Sequence, residues 1–356
     1  MNTDTRQPLH SSTVRGWVKV PPWARGERAA PHPLRAATTT LLGLALFAGC
    51  ADGTGAAACG DGTTERNGKC ESNSETEAEA DTDTDTDTDT DTDTAAACAD
   101  GAAQTMDGVD FVKVCASTFQ MGCTGWANCN NGHETEHTVT LTHDYWVGRT
   151  EITQDQFTAS MGYNPSSFTG CGGPCPVEDL TWHEAAAYAN ALSAAAGLLS
   201  CYSCSGEGSS VECSFGSEVY TCVGYRLLTE AEWEGAARCG ERLLYAGSSL
   251  ADDVAWTEDN SGESPHVVAG LAANACGTYD MSGNVFEWTN DRGDDNDYPS
   301  DSAIDPPGLS DGDDRILRGG SWHMPSENSR IDYRWWDHTW RPTDYRGMRV
   351  ARTLEP

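Results

Sequence analysis

Residues 225–238 read YRLLTEAEWEGAAR and contain a clear signature for the start of a helix. Thr229 is followed three positions later by Glu232, the spacing of a capping box in which each side chain bonds the other residue's backbone N–H. Thr181 and Glu184 have the same spacing ahead of an alanine-rich run. The sequence therefore predicts two main helices, each beginning at a threonine N-cap.

Shorter elements flank these helices. Residues 109–112 (VDFV) and 119–122 (FQMG) alternate apolar and polar positions and predict short strands, and residues 151–157 (EITQDQF) predict the start of a short helix. The chain also contains 37 glycines and 12 tryptophans. This composition indicates a loop-rich fold held by aromatic packing more than by long helices.

Residues 133–137 read HETEH and match the HExxH string of zinc proteases. That chemistry needs both histidines on one face of a helix, whereas this copy follows a glycine and runs into the β-branched sequence TVTLT. On a strand the two histidines would stand about 13 Å apart, which is too far to share one metal ion. We interpret the string as part of a strand and not as a zinc site.

Composition excludes some partners and places the chain in an oxidising compartment. The formal net charge of −33 argues against a nucleic-acid partner, because binding a phosphate backbone needs clustered lysine and arginine. The 15 cysteines are spread without paired CxxC zinc spacings, which indicates disulfides formed outside the cytoplasm. We expect the pairs Cys59–Cys70, Cys98–Cys115, Cys123–Cys129, Cys171–Cys175 and Cys239–Cys276, and two further pairs within Cys201, Cys204, Cys213 and Cys222.

Residues 1–49 are predicted to be a signal peptide, with a basic region long enough to suggest a later true start codon. The apolar run 36–49 is shorter than the ~20 residues that span a bilayer. Small residues precede Cys50 as in a lipobox, so we expect Cys50 to be acylated and to anchor the chain to a membrane. The alternative is a plain signal peptide with Cys50 in a disulfide. Parity favours lipidation, since fourteen cysteines remain without Cys50.

A low-complexity linker separates the start of the chain from the rest. Residues 50–70 form a small cysteine-containing segment, and residues 71–97 carry glutamates followed by Asp-Thr repeats. The linker has no apolar residue larger than alanine, so it cannot bury a core and is predicted to be disordered. A calcium-binding repeat is the alternative, but the segment lacks the glycine turns that fold carboxylates around one ion.

Seven sequence blocks resemble those of the formylglycine-generating (sulfatase-modifying factor) family, in the same order. They are FQMG, EITQDQF, PVEDLTWHEAAAYAN, YRLLTEAEWEGAAR, GTYDMSGNVFEW, RGGSW and RGMRVAR, and the resemblance covers about residues 109–352. For residues 98–356 the resemblance implies an α+β, irregular C-type lectin-like fold with short strands, two main helices, long loops and multiple disulfides. It also implies structural calcium. In active members, two cysteines bind copper(I), and the enzyme uses O2 to turn a sulfatase cysteine into formylglycine.

The resemblance assigns four calcium ligands, which are the side chains of Asp280 and Glu287 and the carbonyls of Gly283 and Val285. Calcium takes six to eight oxygen ligands, and a loop containing glycine can aim carbonyls between two carboxylates. The alternative is that Asp280 caps a turn and Glu287 is a solvated strand residue.

The copper-binding cysteines of the family are replaced in this chain. The resemblance places them at Met324 and Ser329, while the nearby Ser321 is retained. A thioether can bind copper(I), but a serine hydroxyl is a hard, neutral donor and cannot replace a thiolate. We therefore expect neither copper nor the copper-dependent oxidation. A different metal held by His323, Met324 or His338 is the alternative.

Residues 332–341 (DYRWWDHTWR) combine aromatic residues with arginine, as binding hot spots do. In the family this region lines the substrate groove. The resemblance therefore gives six groove candidates, Trp322, His323, Arg334, Trp335, Trp336 and Trp340. The alternative is that Trp335 and Trp336 pack in the core while the arginines pair with acidic groups.

Two functions remain open from the sequence. The first is an exported, lipid-anchored binding module, in the periplasm or at the surface, that presents a rigid groove to a protein, peptide or glycan. The second is an active oxidoreductase of the same family that acts on a protein or thiol with copper or another metal. The missing copper cysteines and the tether favour the binding module.

Overall fold

The computed structural model describes residues 63–66, 69–72, 98–123, 134–215, 219–293, 301–309 and 312–354. The predicted signal peptide, Cys50, the acidic linker and the side chains of Cys59 and Cys70 lie outside the described part. The chain divides into two units, Met1–Asp89 and Thr90–Pro356. In the first unit, an antiparallel hairpin of Thr63–Arg66 and Lys69–Ser72 is described.

The second unit contains three described α-helices, α1 (Gln154–Met161), α2 (Trp182–Ala195) and α3 (Glu230–Arg238). Each begins with a complete capping box, formed by the residue pairs Thr153 and Gln156, Thr181 and Glu184, and Thr229 and Glu232. The caps predicted for α2 and α3 are therefore confirmed.

Helix α1 begins three residues after the start of the predicted segment 151–157. The cause lies in the preceding residues, Glu151 and Ile152, which are both fully buried. The backbone N–H of Ile152 donates to Met348, and its carbonyl accepts from Val177. These long-range bonds hold Ile152 outside the helix.

The strands are short. They are β1 (Thr63–Arg66), β2 (Lys69–Ser72), β3 (Ala103–Met106), β4 (Val109–Val114), β5 (Ser117–Met121), β6 (His137–Leu141), β7 (Tyr145–Gly148), β8 (Tyr202–Ser205), β9 (Glu212–Phe215), β10 (Tyr225–Leu227), β11 (Ala255–Trp256), β12 (Ser282–Gly283), β13 (Phe286–Arg292), β14 (Ala303–Ile304), β15 (Asp314–Arg318), β16 (Arg334–His338), β17 (Arg346–Met348) and β18 (Val350–Thr353).

Two larger sheets organise the second unit. The first has the strand order β10-β18-β7-β4-β3, and β18 pairs antiparallel with both of its neighbours. The second has the order β16-β15-β13-β17, in which β13 and β17 run parallel. Helix α2 packs against β10, and α3 packs against β5 and β13. The candidate site residues that follow β15 and those that precede β13 therefore lie at the ends of strands of the second sheet, against which α3 packs.

Buried indoles connect the helices to the second sheet. Trp182 of α2, Trp233 of α3 and Trp288 of β13 are each at most 1% exposed. Their ring N–H groups donate to the Thr289 carbonyl, the Glu287 carboxylate and the Leu180 carbonyl, respectively. Because the apolar rings are buried and their N–H groups are hydrogen-bonded, these residues contribute strongly to the core.

Five disulfides are described, Cys98–Cys115, Cys171–Cys175, Cys201–Cys222, Cys204–Cys213 and Cys239–Cys276. The three pairings predicted individually among these are confirmed, and the four cysteines of residues 201–222 form two pairs as expected. Cys123 is also disulfide-bonded, and its predicted partner, Cys129, lies outside the described residues. Each such loop closure contributes roughly 2–4 kcal/mol to stability.

The segment that matches the zinc-protease string includes the start of a strand. His137 is the first residue of β6, as the sequence predicted, and His133 lies outside the described residues. Glu134, which would be the catalytic base of a protease, forms a buried ion pair with Arg330 at 2.9 Å. In the described part of the chain, no helix has the length and hydropathy needed to cross a membrane.

Candidate functional site

A tight double-glycine turn follows β15 and carries the first candidate residues. Gly319 and Gly320 both have positive φ, +94° and +72°. A Cβ atom on Gly320 would lie 2.5 Å from the Asn328 carbonyl oxygen and 2.5 Å from the Ser329 hydroxyl. The absence of a side chain thus lets the turn pack directly against the 3₁₀ helix Ser326–Ser329.

The segment from this turn through the 3₁₀ helix contains Met324 and Ser329, the positions that the resemblance assigns to copper. Ser321 and Ser329 are fully buried, and neither hydroxyl has a hydrogen-bond partner in the described structure. Met324 is partly buried and packs against the core. The donor set is two hydroxyls and a thioether, which does not fit copper(I), because no thiolate is present to hold it.

No alternative thiol is available among the described residues. Every cysteine whose side chain is described takes part in a disulfide. The one described group of three or more histidine, cysteine or carboxylate side chains whose ligand atoms lie close enough to share a metal ion is Cys98, Cys115 and Asp144. Its two cysteines are bonded to each other, so they cannot act as thiolates.

The predicted calcium loop is tightly constrained. Asp280, Gly283 and Asn284 all have positive φ, at +55°, +80° and +58°. A Cβ atom on Gly283 would lie 2.4 Å from the Trp256 carbonyl oxygen, because β12 pairs closely with β11. Asp280 is buried, and its Oδ2 accepts a hydrogen bond of 2.7 Å from the Ala269 amide.

Glu287 is already surrounded by N–H donors. Arg349 donates to Oε1 from Nη2 at 2.6 Å and contacts both carboxylate oxygens from Nε at 3.1 and 3.0 Å. Trp233 donates to Oε2 at 2.8 Å. A carboxylate has about four lone-pair sites. Calcium binding to Glu287 would therefore compete with Arg349, whereas Asp280 accepts a single described hydrogen bond.

Glu151, the first residue of the segment predicted to start a short helix, is a third carboxyl group that contacts this loop. It is fully buried and accepts bonds from the Asn284 side chain at 3.0 Å and from the Val285 amide at 3.2 Å. Burial and the nearby Asp280 and Glu287 carboxylates raise the pKa of Glu151 well above its ordinary value.

The loop and its contacts bring together more buried carboxyl groups than buried cations. Burial is the main reason that the pKa of Asp280 is raised to about 6, and the neighbouring Glu287 carboxylate adds to it. Arg349 is the buried cation that opposes these carboxylates. Three buried carboxylates facing one guanidinium would be stabilised by a further cation. The chemistry of Asp280, Glu151 and the loop carbonyls is therefore compatible with calcium.

The six groove candidates divide into buried and accessible groups. Trp322 is 6% exposed, contacts Phe168 edge-on at 5.2 Å and donates to the Asp344 carbonyl. Arg334 is also buried and bonds Glu230 at 2.8 Å. Both have structural contacts that keep them from a ligand at the surface.

The accessible candidates form stacked aromatic pairs. Trp340 is 66% exposed and stacks on His338 with ring centroids 5.5 Å apart. His323 is exposed and stacks on Tyr345 at 5.6 Å. The partly buried pair, Trp335 and Trp336, stacks at 5.7 Å.

The buried Arg346 contacts Tyr345 of one pair and Asp337, the residue that precedes His338 of another pair. Arg346 lies over the Tyr345 ring and bonds Asp337 at 2.5 Å, so the His323–Tyr345 stack lies beside the strand that carries His338. We call the exposed residues His323, His338 and Trp340 the aromatic surface.

Comparison with known proteins places the fold. Residues 97–354 match the sulfatase-modifying factor enzyme 1-like domain. The chain is 31% identical over 266 residues to the chaperone protein LppX of Paenibacillus barcinonensis, covering 67% of this chain and 87% of that protein. Treponema denticola variable protein 1 is similar in structure, with a TM-score of 0.63 and 30% identity over 71% of this chain and 99% of the other. The predicted α+β, C-type lectin-like fold is confirmed.

Similarity to enzymes covers a smaller part of the chain. The formylglycine-generating enzyme of Streptomyces coelicolor is 36% identical over 116 residues, which is 28% of this chain and 37% of that enzyme. Hercynine oxygenase of Mycolicibacterium thermoresistibile is 33% identical over 153 residues, 38% of this chain and 34% of that enzyme. The chain therefore spans about a third of either enzyme's length.

Proposed function

Because the chain belongs to the sulfatase-modifying factor enzyme 1-like domain family, we propose that it is a binding module of that family without copper-dependent oxidase activity. The observation that carries the proposal is the donor set at the two positions that the resemblance assigns to copper. Met324 and Ser329 stand there, Ser321 and Ser329 have unpartnered buried hydroxyls, and every described cysteine is disulfide-bonded. Oxygen activation by copper(I) needs thiolates that this site does not supply.

Export and tethering belong to the same proposal. The disulfides are consistent with an extracytoplasmic location, since such bonds persist in oxidising compartments. We propose that acylation of Cys50 anchors the chain to the cell envelope. Residues 71–97 then hold the domain away from the membrane, because closely spaced aspartates repel one another and extend the linker.

The ligand we propose is a protein, bound at the aromatic surface. Exposed aromatic rings supply a large contact area at low entropic cost, and such residues dominate binding energies at protein interfaces. Trp340 has two-thirds of its surface free, and its stack on His338 pre-orders the ring. The relative named chaperone protein LppX favours a protein over a glycan as ligand.

The absence of oxidase activity can be tested directly. The purified protein, incubated with a CxPxR peptide, copper and O2, should leave the peptide cysteine unchanged by mass spectrometry. A formylglycine-generating enzyme with both cysteines serves as the positive control. Formylglycine in the test sample would overturn this part of the proposal, and a tightly bound redox metal in the purified protein would favour the oxidoreductase instead.

Binding can be tested through suppression of aggregation by an unfolding client, such as heated citrate synthase, followed by light scattering. The wild type should slow aggregation, and Trp340→Ala should weaken the effect severalfold. Leu250→Ala is the matched control, because Leu250 is also 66% exposed but lies outside the aromatic surface. Equal activity of Trp340→Ala and the wild type would refute the surface assignment. Binding on a glycan array with no effect on the client would identify a glycan as the ligand.

A structural calcium ion at the 280–287 loop completes the proposal. Asp280, the carbonyls of Gly283 and Val285, and a carboxylate of Glu151 or Glu287 would hold it, and the ion would balance the buried negative charge. Metal analysis of the purified protein should find calcium, and EDTA should lower the melting temperature. In Asp280→Asn, the EDTA effect should be lost. An unchanged melting temperature of the wild type in EDTA would argue against the site.

A further inference from the structure

A cavity of about 210 Å³ lies at the N-terminal end of α3, apart from the calcium loop and the aromatic surface. Apolar groups form much of its wall, contributed by Met121, Ala231, Pro306 and Leu309. Asp291, near the end of β13, is among its polar lining residues. The space is smaller than typical pockets for drug-sized ligands, which measure roughly 300–1,000 Å³, so it suits a single functional group on a short stem.

The Asp291 carboxylate is the unusual feature of the cavity. Asp291 is 4% exposed, and its Oδ2 accepts a 2.7 Å hydrogen bond from the Glu230 amide. Among the described residues no other hydrogen-bond donor reaches it. Gly308 covers it closely, since a Cβ at that glycine would lie 2.8 Å from the Asp291 Cβ. A buried carboxylate with one donor is costly to ionise.

The neighbouring carboxylate, Glu230, is by contrast well compensated. Arg334 donates to it at 2.8 Å, and the Arg318 Nε lies 3.7 Å away. The Arg318 guanidinium also pairs with Glu234. Arg334 and Arg318 are thus committed to glutamates, and Arg315 donates to the Asn290 carbonyl. No described cation forms an ion pair with Asp291.

We propose that this cavity binds an organic monocation, an alkylammonium or alkylguanidinium group, with its charge against Asp291 and its stem against Met121, Ala231 and Leu309. A lysine or arginine side chain of a peptide and a free small amine both present this chemistry. Arg292 also lines the cavity but is partly exposed, so solvent screens its charge. The site is independent of the proposed function.

Proton release gives the site a distinctive signature. Burial, with a further contribution from the Glu230 carboxylate, raises the pKa of Asp291 to about 8. At pH 7 the carboxyl is therefore mostly protonated, and a bound cation should expel that proton. The other charged or titratable groups around Asp291 are Glu230, Glu232, Arg334, Arg315, Arg292, His137 and Tyr220.

Isothermal titration calorimetry of the purified protein tests the proposal. The probes are n-butylammonium and ethylguanidinium for the free amine, and N-acetyl-lysine amide and N-acetyl-arginine amide for the side chain. At pH 7 the cations should bind, and measurements in buffers of different ionisation enthalpy should show release of nearly one proton. Below pH 8 the affinity for the cations should increase as the pH rises, by up to tenfold per pH unit. Neutral n-butanol and anionic propionate should bind at least tenfold more weakly.

Two variants keep the test specific. Asp291→Asn retains an oxygen that can accept from the Glu230 amide, so the variant should fold, yet it should bind the cations at least tenfold more weakly and release no proton. Asp259→Asn, at an exposed position, should behave as the wild type. Preferential binding of propionate, undiminished binding by Asp291→Asn, or no saturable binding of any cation would overturn the proposal.

Discussion

Glu178 provides a test of how burial controls stability near the candidate site. The residue is fully buried, and its carboxylate accepts from the Phe168 amide at 2.8 Å and the Ser167 amide at 3.2 Å. It thereby holds the segment that places Phe168 against Trp322. Burial, with the nearby Asp179 and Asp344 carboxylates, raises the pKa of Glu178 from 4.5 to about 7.

The sign and size of the effect follow from proton binding. Between pH 4.5 and 7 the folded protein holds a proton on Glu178 that the unfolded chain has released, so the free energy of unfolding falls as the pH rises through this window. A pKa difference of about 2.5, at about 1.4 kcal/mol per unit, corresponds to about 3 kcal/mol. The contribution of Glu178 is therefore fully present below pH 4.5 and lost above pH 7.

We predict that Glu178→Gln removes this dependence on pH. The glutamine can accept only one of the two amide bonds, which lowers stability by about 1 kcal/mol at every pH. Compared with that of the wild type, however, the free energy of unfolding of the variant should increase by about 3 kcal/mol from pH 4 to pH 8.

Urea unfolding followed by tryptophan fluorescence at several pH values gives the difference between the two proteins. Glu258→Gln, at an exposed position, is the control and should show no such trend. A wild-type minus variant difference that stays constant from pH 4 to pH 8 would refute the reasoning.

Further predictions concern stability. Thr229→Ala should lower the free energy of unfolding by about 1 kcal/mol, because the Glu232 amide loses its cap, while Thr229→Ser should not; equal losses in the two variants would contradict the capping role. Arg318→Met should cost roughly 3–5 kcal/mol by leaving Glu234 with one fewer buried partner, seen calorimetrically as a clearly lower melting temperature, and an unchanged melting temperature would count against it. Ser329→Ala should change stability by less than about 1 kcal/mol, since its hydroxyl has no described partner; a loss above 2 kcal/mol in urea unfolding would show that the hydroxyl is bonded.

Features set by neighbouring residues were predictable from the sequence. The capping boxes at Thr181 and Thr229 depend on a spacing of three, and the Cys171–Cys175 disulfide closes a short loop. Cys98–Cys115 and Cys239–Cys276 were also predicted correctly. The fold itself followed from seven blocks whose order matches the family. The decisive information lies in the local sequence for the caps and the short disulfide loop, and in the order of motifs for the fold. Cys98–Cys115 and Cys239–Cys276 instead join residues 17 and 37 positions apart, and neither local sequence nor a motif fixed these pairs.

Features built from distant residues were not predictable in the same way. Glu151 meets Val285 across 134 positions, and a glutamate in a polar block gives no sign that it is fully buried. The cavity beside Asp291 requires β5, α3, β13 and the 306–309 segment to converge. The groove candidates fall into buried and accessible groups because β16 places Arg334 inward, where it bonds Glu230, whereas Trp340 lies beyond the end of the strand.

The position of β18 has a consequence for biogenesis. This strand, residues 350–353, lies between β10 and β7, so the first sheet contains a gap until the ribosome has made almost the whole domain. A nascent chain that has emerged only as far as α3 therefore displays two unpaired strand edges and an uncovered apolar layer. Chaperones that recognise such incomplete sheets therefore have a long interval in which to act. A premature stop shortly before residue 350 removes the strand that joins β10 to β7, not a dispensable tail.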